Sequence, residues 1–280
     1  MSRPEQVILV TGCSTGLGRA TALEAAARGH RVFATARRAE SVADLAAKGI
    51  GTLALDVTNP ASIGEAVLQV LRSADRIDAV VNNAGYGQYG AIEDVSLEEW
   101  RAQFEVNLFG TIAVLRAVLP AMRAARGGTV VNVSSVAGRV PIPFAGPYSA
   151  SKHALEAMSD ALRVEVAPWG IRVVLVEPGP IATRFGDRTR EATARILAVP
   201  GPYSRFYDGA ERASNRQFQM GKKNPDVVAR RIVDAIEAKR PKTRYRVTPL
   251  ARILVSLKSV ASDRFLDRRL KKMLGLPDRV

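Results

Sequence analysis

Val7-Ile8-Leu9-Val10-Thr11-Gly12-Cys13-Ser14-Thr15-Gly16-Leu17-Gly18 is the stretch that decides the fold. Four apolar residues with strand propensity run into a glycine-rich turn, and the alanine-rich segment that follows, to Arg28, has the composition of a helix. Strand, turn and helix in this order present the backbone N–H groups of the turn at a helix N-terminus. Unpaired donors and the macrodipole favour an anion such as a diphosphate there, and glycine allows its close approach. Gly12, Gly16 and Gly18 do not follow the G-x-G-x-x-G spacing, so that fingerprint lends nothing. The pattern is Thr-Gly-x-x-x-Gly-x-Gly.

Downstream, β-rich and helical segments alternate, with strands expected at 6–11, 31–36, 51–56, 78–82, 129–133, 171–176 and 244–248. Ala79-Val80-Val81 and Val173-Val174-Leu175-Val176 are continuous apolar runs, which suit strands covered on both faces. A doubly wound parallel sheet with helices on both sides follows, and 280 residues at 47% apolar content suit one large α/β domain over 1–248. Ligands bind beyond the carboxyl ends of such strands. Thr11, Asp56, Asn82, Ser135 and Pro178 all close predicted strands, which points to one crevice.

Tyr148 and Lys152 stand four residues apart in a helical segment, so both side chains reach one side of that helix. A free Tyr titrates near 10, and a neighbouring cation lowers that value and brings acid–base chemistry within reach. Ser135 lies thirteen residues before Tyr148. Asn107 interrupts the helical stretch Glu105-Val106-Asn107-Leu108-Phe109-Gly110 with a residue that helices disfavour.

The glycine turn, Asn82-Asn83-Ala84-Gly85, Asn107, Ser135, the Tyr148/Lys152 pair and Pro178-Gly179, in this order and spacing, resemble the short-chain dehydrogenase/reductase family over roughly residues 5 to 240. The resemblance implies a Rossmann-type fold and an NAD(P)(H)-dependent oxidoreductase. Tyr148 would be the general acid and base, and Lys152 would lower its pKa and hold the nicotinamide ribose. Ser135 would fix the substrate oxygen, and Asn107 would hold a water in a proton relay. Gly12, Ser14, Thr15, Gly16, Leu17 and Gly18 would surround the diphosphate. Asp56 and Val57 would meet the adenine, and Asn83, Ala84 and Gly85 would floor the adenosine ribose. Pro178, Gly179, Ile181 and Thr183 would orient the nicotinamide. The Thr11-Gly12-Cys13-Ser14 opening and the Ala34-Thr35-Ala36-Arg37 strand end look most similar to the hydroxysteroid and retinol dehydrogenase branch, which implies a lipophilic ketone/alcohol pair. Family members commonly form dimers or tetramers through the helices carrying Asn107 and Tyr148.

An acid at the end of the second strand would bind a ribose 2′-OH and repel a 2′-phosphate; this chain has Arg37 and Arg38 there. NADP(H) is therefore expected over NAD(H). Residues 183–224 read as a lid rich in aliphatic and aromatic side chains, with a short helix near 188–198, and Phe185 joins Pro141 and Phe144 around an apolar substrate. Cys13 is the single cysteine, and His30 and His153 share no ligand spacing with acids, so no disulfide and no metal site is expected. Without a signal-like segment, or an uncharged apolar run near the ~20 residues a bilayer requires, a cytoplasmic location is expected.

The net charge of +14 is concentrated at one end: residues 239–280 carry 13 basic and 3 acidic side chains. Leu254, Leu257, Phe265, Leu266 and Leu270 recur at helical spacing among those cations, with a break near 259–263, which marks 249–280 as a basic amphipathic extension. Three readings stay open for it: a cover over the substrate mouth and dimer edge, a contact with an anionic membrane, and a contact with nucleic acid. The last is disfavoured for want of an aromatic platform. The reading set against an enzyme is a non-catalytic NADP(H)-binding regulator, or a membrane-peripheral protein, that keeps the fold.

Overall fold

The computed structural model describes residues 4–181, 185–209 and 224–277. Seven parallel strands form one sheet in the order β3-β2-β1-β4-β5-β6-β7: β1 (Val7–Val10), β2 (Arg31–Ala36), β3 (Gly51–Ala54), β4 (Ala79–Asn82), β5 (Gly128–Val133), β6 (Ile171–Glu177) and β7 (Arg244–Arg246). The strands fall within two residues of their expected positions. Their continuous apolar runs are explained by two cores, because alternate side chains of one strand leave for opposite faces. Ile8 and Val10 join a cluster with Ala22, Ala25, Val228 and Ile232, whereas Val7 and Leu9 join Val67, Val70, Val114 and Val118. The first cluster sits under helices α1 (Gly16–Ala27) and α7 (Pro225–Glu237). The second lies under α2 (Pro60–Ala74), α4 (Gly110–Ala124) and α5 (Gly146–Val166).

Local chemistry starts the helices where the sequence changes character. Asn59 caps α2 by accepting from the N–H groups of Ala61 and Ser62, with Pro60 just inside. Ser96 and Glu99 form a capping box on α3 (Leu97–Phe104). Between α3 and α4 the helix widens into one π-turn, Glu105–Phe109, so 97–124 runs as one rod. That rod is long and apolar enough to cross a bilayer by length and composition, yet Val114, Val118 and Met122 are buried in the core of the domain.

Arg28 ties the end of α1 to α7 through Asp234 (2.9 Å) and Glu237 (3.0 Å). His30 is buried beside it: Gln6 N–H donates to its Nδ1 at 3.3 Å, and its Nε2 lies 3.2 Å from Glu237. His153 is a helix residue whose Nδ1 lies 2.8 Å from the Ser149 carbonyl. The segment after β6 contains α6 (Phe185–Ala198), and the C-terminal residues form α8 (Pro249–Val260) and α9 (Asp263–Leu274), broken between Val260 and Asp263. Ala251 and Val255 of α8 are buried against Val136, so this extension is packed onto the domain.

Candidate active site

Gly12 and Gly16 hold positive φ, +72° and +62°, a conformation with little penalty for glycine alone. The turn they make is pressed onto the end of β4. A Cβ on Gly18 would lie 2.4 Å from both Gly12 O and Asn83 Nδ2, and one on Gly12 would lie 2.9 Å from Ala84 Cα. Asn83 braces the turn by donating to Thr11 O (3.0 Å) and Gly12 O (3.2 Å), and Thr11 Oγ1 accepts from the N–H groups of Asn83 and Ala84. Thr15 makes no side-chain cap on α1, and the first turn of α1 has no acid. The first N–H groups of α1 thus face the crevice without a side-chain acceptor, which fits a diphosphate. Cys13 is buried in the turn with Sγ–H on Val10 O at 3.2 Å, and burial pushes its thiol up to about 12. It packs; it is no nucleophile at neutral pH.

At the other end of the crevice Arg37 is exposed and lines the cavity, whereas Arg38 does not line it. Arg38 turns instead into the 3₁₀ segment Ala39–Lys48, where its carbonyl accepts from Ser41. The Asp56 carboxylate is fixed by Thr58, which donates through N–H (2.9 Å) and Oγ1 (2.8 Å). Val57 beside it packs on Gly110, where a Cβ would lie 2.8 Å from the valine Cβ. Both Asp56 and Val57 line the cavity.

Asn107 sits inside the π-turn and is 1% exposed. Its Nδ2 donates to Tyr86 O (3.0 Å) and Ser151 Oγ (3.2 Å), and its Oδ1 accepts from Tyr86 N–H (3.1 Å). The helix interruption thus aims an amide at the loop after β4, and that amide is spent on holding the loop against α5. π-Turns recur at functional sites for such reasons. The structure assigns Asn107 a positioning contact with that loop; it does not line the cavity.

Tyr148 and Lys152 lie one turn apart on α5, both buried and both lining the cavity with Ser135. Burial pushes the Tyr148 phenol up to about 12, opposed by a hydrogen bond from Ser135. Ser135 Oγ also accepts from Ala137 N–H at 3.1 Å. Lys152 Nζ donates to Val133 O at 2.8 Å, and burial pushes the ammonium down to about 8 against the attraction of Glu156. The Lys152 ammonium is drawn to the carbonyl at the end of β5, and burial is the largest influence on the Tyr148 phenol.

Behind Lys152 lies a charge cluster that the motif reading missed. Glu156, 3% exposed, takes Arg244 Nε at 3.0 Å, and Arg244 also reaches Asp160 at 2.6 Å. Glu177, fully buried, lies 3.1 Å from Arg246 Nε. Burial pushes Glu156 up, while Ser134 and Arg244 oppose it. The signal was in the sequence: Tyr148, Lys152, Glu156 and Asp160 are spaced by four along one helix face.

The chamber above Tyr148 is apolar. Phe185 at the start of α6 and Tyr89 after β4 tilt against the Tyr148 ring, with centroids at 5.5 and 6.3 Å. Tyr89 carries no sequence signal. Phe144 lines the same cavity, holds a positive φ of +62° and stacks edge-on against Tyr207 at 5.5 Å. That backbone is fixed by the bond from Gly90 N–H to its carbonyl, 2.8 Å. Helix α6 and the residues after it are anchored on the loop 88–95 and the start of α3: Arg195 pairs with Glu99 (2.7 Å), and Tyr207 OH bonds Asp94 and accepts from the Ala91 N–H. Pro178 O accepts from Val136 N–H at 2.9 Å, and Gly179 runs so close under α8 that a Cβ would lie 2.3 Å from Thr248 Oγ1. Ser14, Thr15, Leu17, Gly85, Pro178, Gly179 and Ile181 line the crevice; Thr183 lies outside the described residues. The whole crevice measures about 1790 Å³.

A parallel sheet wound in this order, with a glycine turn after β1 and a Ser-Tyr-Lys set at the carboxyl ends of β5 and β6, defines a Rossmann-type α/β protein. Residues 6–194 match the short chain dehydrogenase family model, and the chain belongs to that family of oxidoreductases. It is 37% identical over 253 residues to a 3-ketodihydrosphingosine reductase of Bacteroides thetaiotaomicron, covering 89% of this chain and 90% of that one. It is 33% identical over 269 residues to an NADPH-dependent 3-dehydrocapnine reductase of Ornithobacterium rhinotracheale, covering 93% and 94%. Among solved structures, a short chain dehydrogenase/reductase from Burkholderia phymatum in complex with NAD superposes with a TM-score of 0.79 at 26% identity, over 97% of this chain and 96% of that one.

Proposed function

We propose that the protein is an NADP(H)-dependent oxidoreductase that interconverts a lipophilic ketone and its secondary alcohol. The observation that carries the reading is Tyr148: a buried phenol, hydrogen-bonded to Ser135, in a crevice continuous with an uncapped phosphate turn. The residues present fit a dinucleotide. The turn from Gly12 to Gly18 would hold the diphosphate, Asp56 and Val57 the adenine, Lys152 the nicotinamide ribose and Ile181 the carboxamide. Arg37, exposed at the end of β2 where no acid stands, would hold a 2′-phosphate. The bound nicotinamide supplies or takes the hydride.

For the protein's own residues the chemistry is a proton transfer. Held well above neutrality, Tyr148 is fully protonated at pH 7, the form that can give its proton to a developing alkoxide during reduction. Ser135 fixes the substrate oxygen within reach of that proton. Oxidation needs the phenolate and so is favoured as pH rises. Tyr89, Phe144 and Phe185 exclude water around the reacting carbon.

Two features support a long apolar substrate. Leu254, Leu257, Leu266 and Leu270 of the C-terminal helices extend the crevice wall beyond the aromatic chamber. One relative is named for 3-ketodihydrosphingosine, a ketone on a long alkyl chain. The test is NADPH oxidation against ketones of increasing chain length, beside NADH and a Tyr148→Phe control. Turnover that grows with chain length and vanishes in the control supports the reading. NADPH binding without turnover of any ketone favours the non-catalytic regulator, and tighter binding of NADH refutes the cofactor preference.

A further inference from the structure

We propose that the outer face of the α8–α9 pair docks the protein on an anionic lipid bilayer. The inward faces of these helices are already used: Ala251 and Val255 are buried on Val136, while Leu254, Leu266 and Leu270 line the crevice. Seen on its own, the amphipathic pattern suggests helices whose apolar side enters the membrane; in the fold that side covers the substrate chamber. What faces outward is a different surface.

On α8, Arg252, Ile253, Ser256 and Val260 are exposed and share one stripe, by the spacings of three, four and seven that bring helical residues into line. Ile253 is 63% and Val260 85% exposed. On α9, Arg264, Arg268 and Lys272 are exposed. Arg252 and Arg268 donate to backbone carbonyls, of Arg246 and Arg264, and neither meets an acid among the described residues. Of the acids on the pair, Asp263 is matched by Lys258 at 2.6 Å, so Asp267 stands against an excess of cations. Arg244 and Arg246, by contrast, are spent inward on Glu156 and Glu177. The basic excess of the C-terminal region is thus sorted: the strand cations serve the interior and the helix cations serve the surface.

Charge complementarity selects the partner. Exposed cations on both helices, with two large exposed aliphatic side chains on α8, match an interface that offers phosphate at its surface and hydrocarbon just below. A nucleic acid offers the phosphate alone and favours aromatic platforms; Phe265, the aromatic residue of α9, is covered by the Arg269 guanidinium at 5.3 Å. The docked face is the outer wall of the crevice, so a lipid ketone would have a short path from bilayer to Tyr148. This benefit rests on the proposed function; the docking itself does not.

The experiment is vesicle co-sedimentation of the full chain with phosphatidylcholine alone and with phosphatidylglycerol added, read by bound fraction. The expected result is binding only to the anionic vesicles, lost at an ionic strength of about 1 M where screening acts within about 3 Å. Arg264→Glu with Arg268→Glu changes the face by four charges, and at about fivefold per charge the partition constant should fall by more than a hundredfold. Ile253→Asp with Val260→Asp should weaken binding as well. Both variants should keep the wild-type melting curve and the wild-type rate on a short, water-soluble ketone, which separates failed docking from failed folding or failed catalysis. Equal binding to both vesicle types overturns the proposal. So does unchanged binding by the Arg264/Arg268 variant, a tighter complex with an oligonucleotide than with vesicles, or dissociation of a dimer by that variant.

Discussion

Replacing Lys152 by Met should make the protein more stable while it stops turnover. Lys152 is 5% exposed, and burial takes its ammonium from the ordinary 10.5 to about 8. At pH 7 the folded chain therefore holds a charge that it binds about 3 kcal/mol less well than the unfolded chain does. Met fills a similar volume without that penalty. The lost hydrogen bond to Val133 O, 2.8 Å, takes back about 1.5 kcal/mol, which leaves a net gain of about 1–2 kcal/mol and a rise in Tm of about 3–6 °C. The pH dependence is the sharper signature. Because the folded pKa lies below the unfolded one, the penalty is complete below pH 8 and is relieved as pH rises from about 8 to 10.5. Wild type should gain on the variant by about 1.4 kcal/mol between pH 7 and 9. Tyr148, raised to about 12, works in the opposite direction only above pH 10. Urea unfolding of both proteins at pH 7, 8 and 9 measures the difference, in which all other groups cancel. A variant that is less stable than wild type, with a gap that does not change with pH, would show that Lys152 is not held against a burial penalty.

Gly18→Ala should abolish dinucleotide binding by calorimetry and destabilise the fold by about 1–3 kcal/mol, because the new methyl meets Gly12 O and Asn83 Nδ2 at 2.4 Å; unchanged affinity would exclude the phosphate-turn assignment. Arg37→Asp should lower NADPH affinity by about 10–100-fold and leave NADH near its original value, read by fluorescence titration; equal losses for both would place Arg37 outside the discriminating contact. Asn107→Ala removes the amide that holds Tyr86 and Ser151 and should cost about 2–3 kcal/mol of stability with a lowered kcat. Wild-type stability in that variant would show that the π-turn holds its shape without the side chain.

The sheet was legible because its strands are buried on both faces and so read as uninterrupted aliphatic runs, as at Ala79-Val80-Val81. The crevice was legible because its parts carry rigid local rules: glycine where φ is positive, an arginine where an acid would stand, a Tyr and a Lys four apart. What the sequence concealed depends on contacts between distant segments. Tyr89 reaches Tyr148 only because the loop after β4 is folded back by Asn107 and Gln103. Asn107 was singled out as a helix-breaking amide, but its use became visible only with Tyr86 and Ser151 in place. Arg37 and Arg38 are indistinguishable as neighbours in a strand end, and the 3₁₀ turn that begins at Ala39 is what directs one to the crevice and not the other. The tyrosine pKa could not be inferred from spacing, since it depends first on burial, a property of the whole fold.

Arg244 and Arg246 lie in the last strand, while the acids they neutralise, Glu156 and Glu177, come far earlier in α5 and β6. A growing chain therefore makes Ser135, Tyr148 and Lys152 well before it makes the counterions of the helix that carries them. Until residue 246 is in place, closing α5 against β6 strands carboxylates away from water without a cation, which is strongly unfavourable. The helix that carries Tyr148 and Lys152 thus has reason to stay open throughout synthesis and to close only when the sheet receives its seventh strand.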